Sequence, residues 1–95
     1  MLRLGILVSG GGTNLQAILD ALDQGVITNA AVSVVISNNS GAYALKRAED
    51  RGIPAVCISP KCYDNREEFH KALLAELQKK QIDLVVLAGY LVAVP

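Results

Sequence analysis

Four short apolar runs, each parted from the next by a stretch with helical periodicity, restrict the folds open to this chain more than any other feature. Leu4-Gly5-Ile6-Leu7-Val8, Val32 to Ile36, Ala55 to Ile58 and Leu84 to Ala88 show no polar alternation, so each reads as a strand covered on both faces. Leu15, Ile18, Leu19 and Leu22 fall at i, i+3, i+4 and i+7 and mark one face of a helix. Ala42, Leu45 and Ala48 mark a second helix, and Phe69, Ala72, Leu73 and Leu77 a third. Such alternation predicts a parallel sheet with helices on both faces. The expectation is a single α/β unit of four strands and three helices.

Local signals place the helix ends. Thr13 with Gln16 three residues on reads as a capping box for the first helix, and Gly25 as its stop. Ser40 is positioned to cap the second, which Gly52 would end. Pro54 leads into the third strand, and Asp64 with Glu67 offers a cap for the third helix. Glu67 with Lys71 and Glu76 with Lys80 make i,i+4 pairs expected on its wet side.

Composition excludes several classes. Nine Lys and Arg balance nine Asp and Glu, so the basic excess of a nucleic-acid binder is missing and no nucleic-acid partner is expected. With 52% hydrophobic and 19% charged residues the chain is too apolar for disorder. Cys57 and Cys62 are too few for a disulfide scaffold and lack zinc-site spacing, so reduced thiols and no metal are expected. The N-terminus carries no signal-peptide pattern, and the run Leu84 to Val94 is shorter than the about 20 residues that span a bilayer. A cytoplasmic protein without a membrane partner is the expectation. That same run reaches Pro95 with no helix after it to cover the fourth strand. Uncovered apolar edges invite association, so homodimerisation or strand exchange through the fourth strand is expected, and the chain reads as the front portion of a longer protein.

The strongest chemical signal is Ser9-Gly10-Gly11-Gly12-Thr13-Asn14-Leu15-Gln16, between the first strand and the first helix. Glycines let the backbone approach a ligand, and the helix begins at once with its free N–H groups and positive dipole end facing the loop. Ser9, Thr13 and Asn14 add neutral donors. A Walker loop needs Lys followed by Ser or Thr, and Thr13-Asn14 stands there instead. A dinucleotide fingerprint needs a third glycine where Leu15 stands, and an acid where Ser37-Asn38-Asn39 ends the second strand. A monophosphate is the favoured ligand. The alternative is a tight strand-to-helix turn that binds nothing.

The stretch Leu7-Val8-Ser9-Gly10-Gly11-Gly12-Thr13-Asn14-Leu15-Gln16-Ala17-Ile18 resembles the N-terminal signature of the phosphoribosylglycinamide formyltransferases. The resemblance continues through Val35-Ile36-Ser37-Asn38, Gly52-Ile53-Pro54, Asn65-Arg66-Glu67 and Leu84-Val85-Val86-Leu87-Ala88-Gly89-Tyr90, and so covers the whole chain in order. It implies a Rossmann-like parallel sheet of the formyltransferase fold. Residues 1–95 would be the N-terminal, ribonucleotide-binding portion, with the C-terminal catalytic part outside the chain.

By this resemblance Gly12, Thr13 and Asn14 contact the phosphate of glycinamide ribonucleotide. The folate co-substrate, 10-formyltetrahydrofolate, lies near Arg66 and packs against Leu91, Val92, Ala93 and Val94. Many members carry arginine where Val92 stands, which leaves its backbone to hold the pterin. The implied reaction is attack of the glycinamide amine on the formyl carbon, through a tetrahedral oxyanion, with tetrahydrofolate leaving. It belongs to purine biosynthesis and needs an oxyanion donor and a proton carrier. The family's asparagine, histidine and aspartate for these tasks fall beyond the position of Pro95, so no catalytic residue is assigned and the chain alone is expected to bind a ribose monophosphate weakly without transferring formyl groups. A related formyltetrahydrofolate deformylase and a non-catalytic phosphate-binding module are the alternatives.

His70, between Phe69 and Lys71 on the third helix, is expected to be a surface residue, and Asp83 to end the helix–strand turn. Tyr43, Tyr63 and Tyr90 are not spaced as a stacking platform, and Cys62 lacks the neighbours of a nucleophile.

Overall fold

In the computed structural model, residues 2–90 are described, and Met1 and residues 91–95 lie outside that description. The chain runs β1 (Leu2–Val8), α1 (Thr13–Asp23), β2 (Ala30–Ser37), α2 (Tyr43–Asp50), β3 (Ala55–Cys57), a 3-10 turn (Pro60–Cys62), α3 (Arg66–Lys79) and β4 (Leu84–Leu87). The strands form one parallel sheet in the order β3-β2-β1-β4. Ile6 is level with Val35 on one side and Val86 on the other, which puts β1 at the centre.

Alternation along the strands divides the apolar side chains between two cores. Ile6, Val8 and Val35 join Leu15 and Leu19 of α1 with Ala44 and Ala48 of α2 on one face. Leu7, Val34 and Ile36 join Phe69 and Leu73 of α3 on the other. A sheet covered on both faces needs strands that are apolar on both, and β1 and β2 meet that demand. Gly5 adds a close approach. A Cβ there would stand 3.0 Å from Leu77 Cδ2 and 3.2 Å from Ile82 Cγ2, so the end of α3 packs directly on β1.

β4 differs. Leu84 is 51% exposed and Leu87 53%, so the free edge of the sheet is apolar, as the sequence suggested. Asp83 fixes the start of that strand as expected, its carboxylate accepting from Arg3 N at 2.8 Å while its own N–H donates to Arg3 O at 2.8 Å.

The helix stops fall where expected, just before Gly25 and Gly52, but all three caps differ from expectation. Gly12, with φ of 84°, is the N-cap of α1, so Thr13 is already the first helical residue and caps nothing. Gln16 is one position too far for a capping box, and its amide instead donates to Asp20 Oδ1 at 2.9 Å. Ser40 does not cap α2, whose N-cap is Ala42. The turn is closed by Asn39, which accepts from Gly41 N through Oδ1 at 3.0 Å and from Ala42 N through its carbonyl at 3.1 Å. Asn65, not Asp64, caps α3, its Oδ1 accepting from Glu68 N at 2.9 Å. The Glu67–Lys71 pair is exposed as expected, whereas Glu76 and Lys80 lie on a half-buried strip, with side chains 15% and 28% exposed.

Candidate functional site

The glycine loop sits at the carboxyl end of β1, beside the point where the strand order reverses between β1 and β4. From β1 the chain steps to β2 by way of α1, and it returns to the other side of β1 by way of α3 on the opposite face. That divergence falls at the carboxyl ends of β1 and β4, where open α/β sheets form the crevice that usually holds the ligand.

Only part of the glycine triplet is demanded by the fold. Gly12 has φ of 84°, and a Cβ on it would stand 2.8 Å from both Cα and Cβ of Ala44. Gly10 and Gly11 have neither constraint: a Cβ on either would meet nothing within 4 Å. Both are exposed. Space left open over two successive glycines is what a ligand approaching the backbone requires.

The three glycine carbonyls are turned back into the protein. Gly10 O accepts from Ala44 N at 3.4 Å, Gly11 O from Arg47 Nε at 2.8 Å, and Gly12 O from Gln16 N at 2.8 Å. No backbone carbonyl among the described residues accepts from the N–H groups of Gly10, Gly11, Gly12 or Thr13. Oriented N–H groups ahead of a helix N-terminus make an anion-binding concavity. Of the residues expected to touch phosphate, Gly12, Thr13 and Asn14 are contiguous at this mouth, with Thr13 and Asn14 exposed. Asn14 also reaches across the crevice, its Nδ2 3.6 Å from the position of a Cβ on Gly89 just after β4.

The residues expected on the folate side fare differently. Arg66 is exposed at the first position of α3, on the other face of the sheet from α1, and no hydrogen bond or ion pair joins it to the loop among the described residues. Leu91, Val92, Ala93 and Val94 lie outside the described residues.

Sequence reasoning missed Arg47. Besides Gly11 O it reaches Gln16 Oε1 through NH1 at 3.1 Å, and its guanidinium carbon lies 4.9 Å from the centre of the Tyr43 ring. Ala44 and Ala48, at i and i+4, mark a helix face that comes close to its neighbour and Arg47 lies beside them, but that spacing does not say which side chain reaches the loop 36 positions away. Also missed was an open cleft of about 570 Å³ at the carboxyl ends of β2 and β3, lined by Asn38–Ser40, Cys57 and Ser59–Cys62. Both thiols are free and exposed, and burial, with a smaller contribution from nearby Cys62, pushes the Cys57 thiol up from its ordinary value.

His70 is half-buried rather than on the surface. Its ring lies tilted against Phe69 with centroids 5.5 Å apart, and its Nε2 is buried without a hydrogen-bond partner among the described residues, because α3 turns that strip towards the apolar layer. Burial likewise raises the Tyr90 hydroxyl. Among the described residues no group of three His, Cys, Asp or Glu side chains is placed to hold a metal ion, and no helix is long and apolar enough to cross a membrane.

The formyl transferase family model matches residues 2–95. The phosphoribosylglycinamide formyltransferase of Haemophilus influenzae is 43% identical over 91 residues, which cover 96% of this chain and 42% of that protein. The trifunctional purine biosynthetic protein adenosine-3 of Drosophila melanogaster is 41% identical over 90 residues, covering 94% of this chain but 7% of that protein. Glycinamide ribonucleotide transformylase 1 of Symbiobacterium toebii superposes with a TM-score of 0.93 at 47% identity, over 100% of this chain and 44% of its own. The chain thus spans less than half the length of these relatives.

Proposed function

This chain belongs to the formyl transferase family, and from that premise we propose that it is the ribonucleotide-binding portion of a phosphoribosylglycinamide formyltransferase. The complete protein would move a formyl group from 10-formyltetrahydrofolate to the amine of glycinamide ribonucleotide, in purine biosynthesis. The observation that carries this reading is the glycine loop. Its carbonyls are all tied back, no backbone carbonyl among the described residues takes up its N–H groups, and two of its glycines answer to no demand of the fold.

In this reading the backbone of Gly12 and the N-terminal turn of α1, with the Thr13 hydroxyl and the Asn14 amide, hold the substrate phosphate. A phosphate fixed at the end of β1 directs the ribose and glycinamide arm towards the crevice between β1 and β4. Asn14, close to Gly89, lies where that arm would pass. 10-Formyltetrahydrofolate, when bound, supplies the formyl carbon. Exposed Arg66, which has no carboxylate partner among the described residues, suits a co-substrate of anionic character. Residues 91–94, which begin four positions past the end of β4 in the sequence, would complete the folate side. The asparagine, histidine and aspartate that stabilise charge and move protons belong to the rest of the protein, and the apolar β4 edge is where that remainder, or a second copy, would pack.

The test is a formyl-transfer assay on the product of the whole reading frame, with glycinamide ribonucleotide and 10-formyltetrahydrofolate. Turnover by that product and none by residues 1–95 alone is the expected result. A full-length product that binds the ribonucleotide but transfers nothing makes the chain a phosphate-binding module instead.

A further inference from the structure

Of the three ties that hold the glycine carbonyls back, two come from backbone N–H groups and one from a side chain, that of Arg47. The peptide bond gives that single tie its consequence. Gly11 C=O and Gly12 N–H belong to one trans peptide plane and point in opposite directions. Drawing Gly11 O towards α2 at 2.8 Å therefore aims the Gly12 N–H away from the Arg47 guanidinium.

Charge strengthens the case. Lys46 is paired with Asp50 at 3.0 Å and Arg51 with Asp23 at 2.6 Å, but Arg47 meets no carboxylate among the described residues. Its partners are a carbonyl, the Gln16 amide oxygen and the Tyr43 ring, none of which cancels its charge. A loop without lysine thus has an unneutralised cation behind it, on a half-buried side chain bonded directly to the loop backbone.

We propose that Arg47 is a positioning residue for the phosphate of the substrate: it sets the direction of the Gly12 N–H and backs the loop with positive charge. The proposal rests on the phosphate-loop reading above. It assigns Arg47 no contact with the reacting atoms. Its effect should fall on the phosphate and on nothing else in the substrate.

That selectivity is the test. Binding of glycinamide ribonucleotide and of the glycinamide ribonucleoside, which lacks the phosphate, is measured by calorimetry on the full-length protein and its Arg47→Met variant. Arg47→Met is expected to weaken the ribonucleotide by about tenfold, the scale of one hydrogen bond to a charged group. The ribonucleoside, the KM for 10-formyltetrahydrofolate and kcat at saturating ribonucleotide should stay as in the parent. Arg47→Lys keeps the charge but cannot span Gly11 O and Gln16 Oε1 together, so it should recover only part of the loss. It also serves for the comparison if Arg47→Met does not fold. Equal loss for both ligands, or no loss for either, overturns the proposal while the phosphate loop stands. A parent protein that binds both ligands equally well overturns the phosphate-loop reading, and the proposal falls with it.

Discussion

A Cβ on Gly12 would stand 2.8 Å from the Cα of Ala44, so the first turn of α2 is seated directly on the glycine loop. The contact is with backbone, which cannot swing aside, and Gly12 also holds φ of 84°. Gly12→Ala should therefore act on the fold before it acts on any ligand. Left-handed strain and overpacking together are expected to cost about 2–5 kcal/mol. Denaturant unfolding of the full-length protein measures this. A loss near zero would mean that α2 is free to retreat.

Gly10 and Gly11 should show the opposite behaviour. A Cβ on either meets nothing within 4 Å, so Gly10→Ala and Gly11→Ala are expected to change stability by less than about 0.5 kcal/mol. Either methyl would instead project into the space proposed for phosphate. The expected result is at least about tenfold weaker binding of glycinamide ribonucleotide at unchanged melting temperature, the size of one lost hydrogen bond to a charged group. Unchanged affinity in both variants would remove the glycine loop from the site.

Much of this arrangement was legible in the residues, and the exceptions have a common cause. The strands and helices were readable because β1, β2 and α1 each bury a regular apolar pattern, and the period of that pattern is set by local geometry. The helix stops at Gly25 and Gly52 were readable for a similar reason, since a positive φ selects glycine. The caps were not. Ser40, Thr13 and Asp64 all have the chemistry of a cap, yet Ala42, Gly12 and Asn65 hold the position. Where a helix begins within two or three residues depends on how the preceding loop is aimed, which is decided by tertiary contacts such as Gly12 on Ala44. Arg47 was hidden likewise. Its partner Gly11 is 36 positions away, and nothing in a helix of eight residues announces which side chain will reach back to a loop.

The cap of α3 gives a prediction on stability that also bears on Arg66. Asn65 Oδ1 accepts from Glu68 N at 2.9 Å, and Arg66 is the next residue, the first of the helix. Asn65→Ala should cost about 1 kcal/mol, the typical value of an N-cap, while Asn65→Asp or Asn65→Ser should retain most of it. Asp64→Ala should be close to silent. If Arg66 serves the folate side, fraying of this turn should also raise the KM for 10-formyltetrahydrofolate with little change in that for the ribonucleotide. Equal stability losses in Asn65→Ala and Asp64→Ala would return the cap to Asp64.

Cys57 offers a pH signature, with its sign fixed by burial. Its folded thiol holds its proton more tightly than the ordinary value of 9.0, because burial disfavours the thiolate and nearby Cys62 adds to the effect. A folded pKa above the unfolded one contributes stability that is complete below 9.0 and is lost as pH rises through the folded value. Reactivity should follow the same direction, since the thiolate is the nucleophile. Alkylation of Cys57 by iodoacetamide, followed by mass spectrometry from about pH 7 to about pH 10, should reach half its maximal rate at a higher pH in the native protein than in denaturant. Cys57→Ser should flatten the corresponding part of the stability profile in the alkaline range. A native midpoint at or below 9.0 would place the thiol in a wetter and more positive setting than the wall of the cleft at the carboxyl ends of β2 and β3 provides.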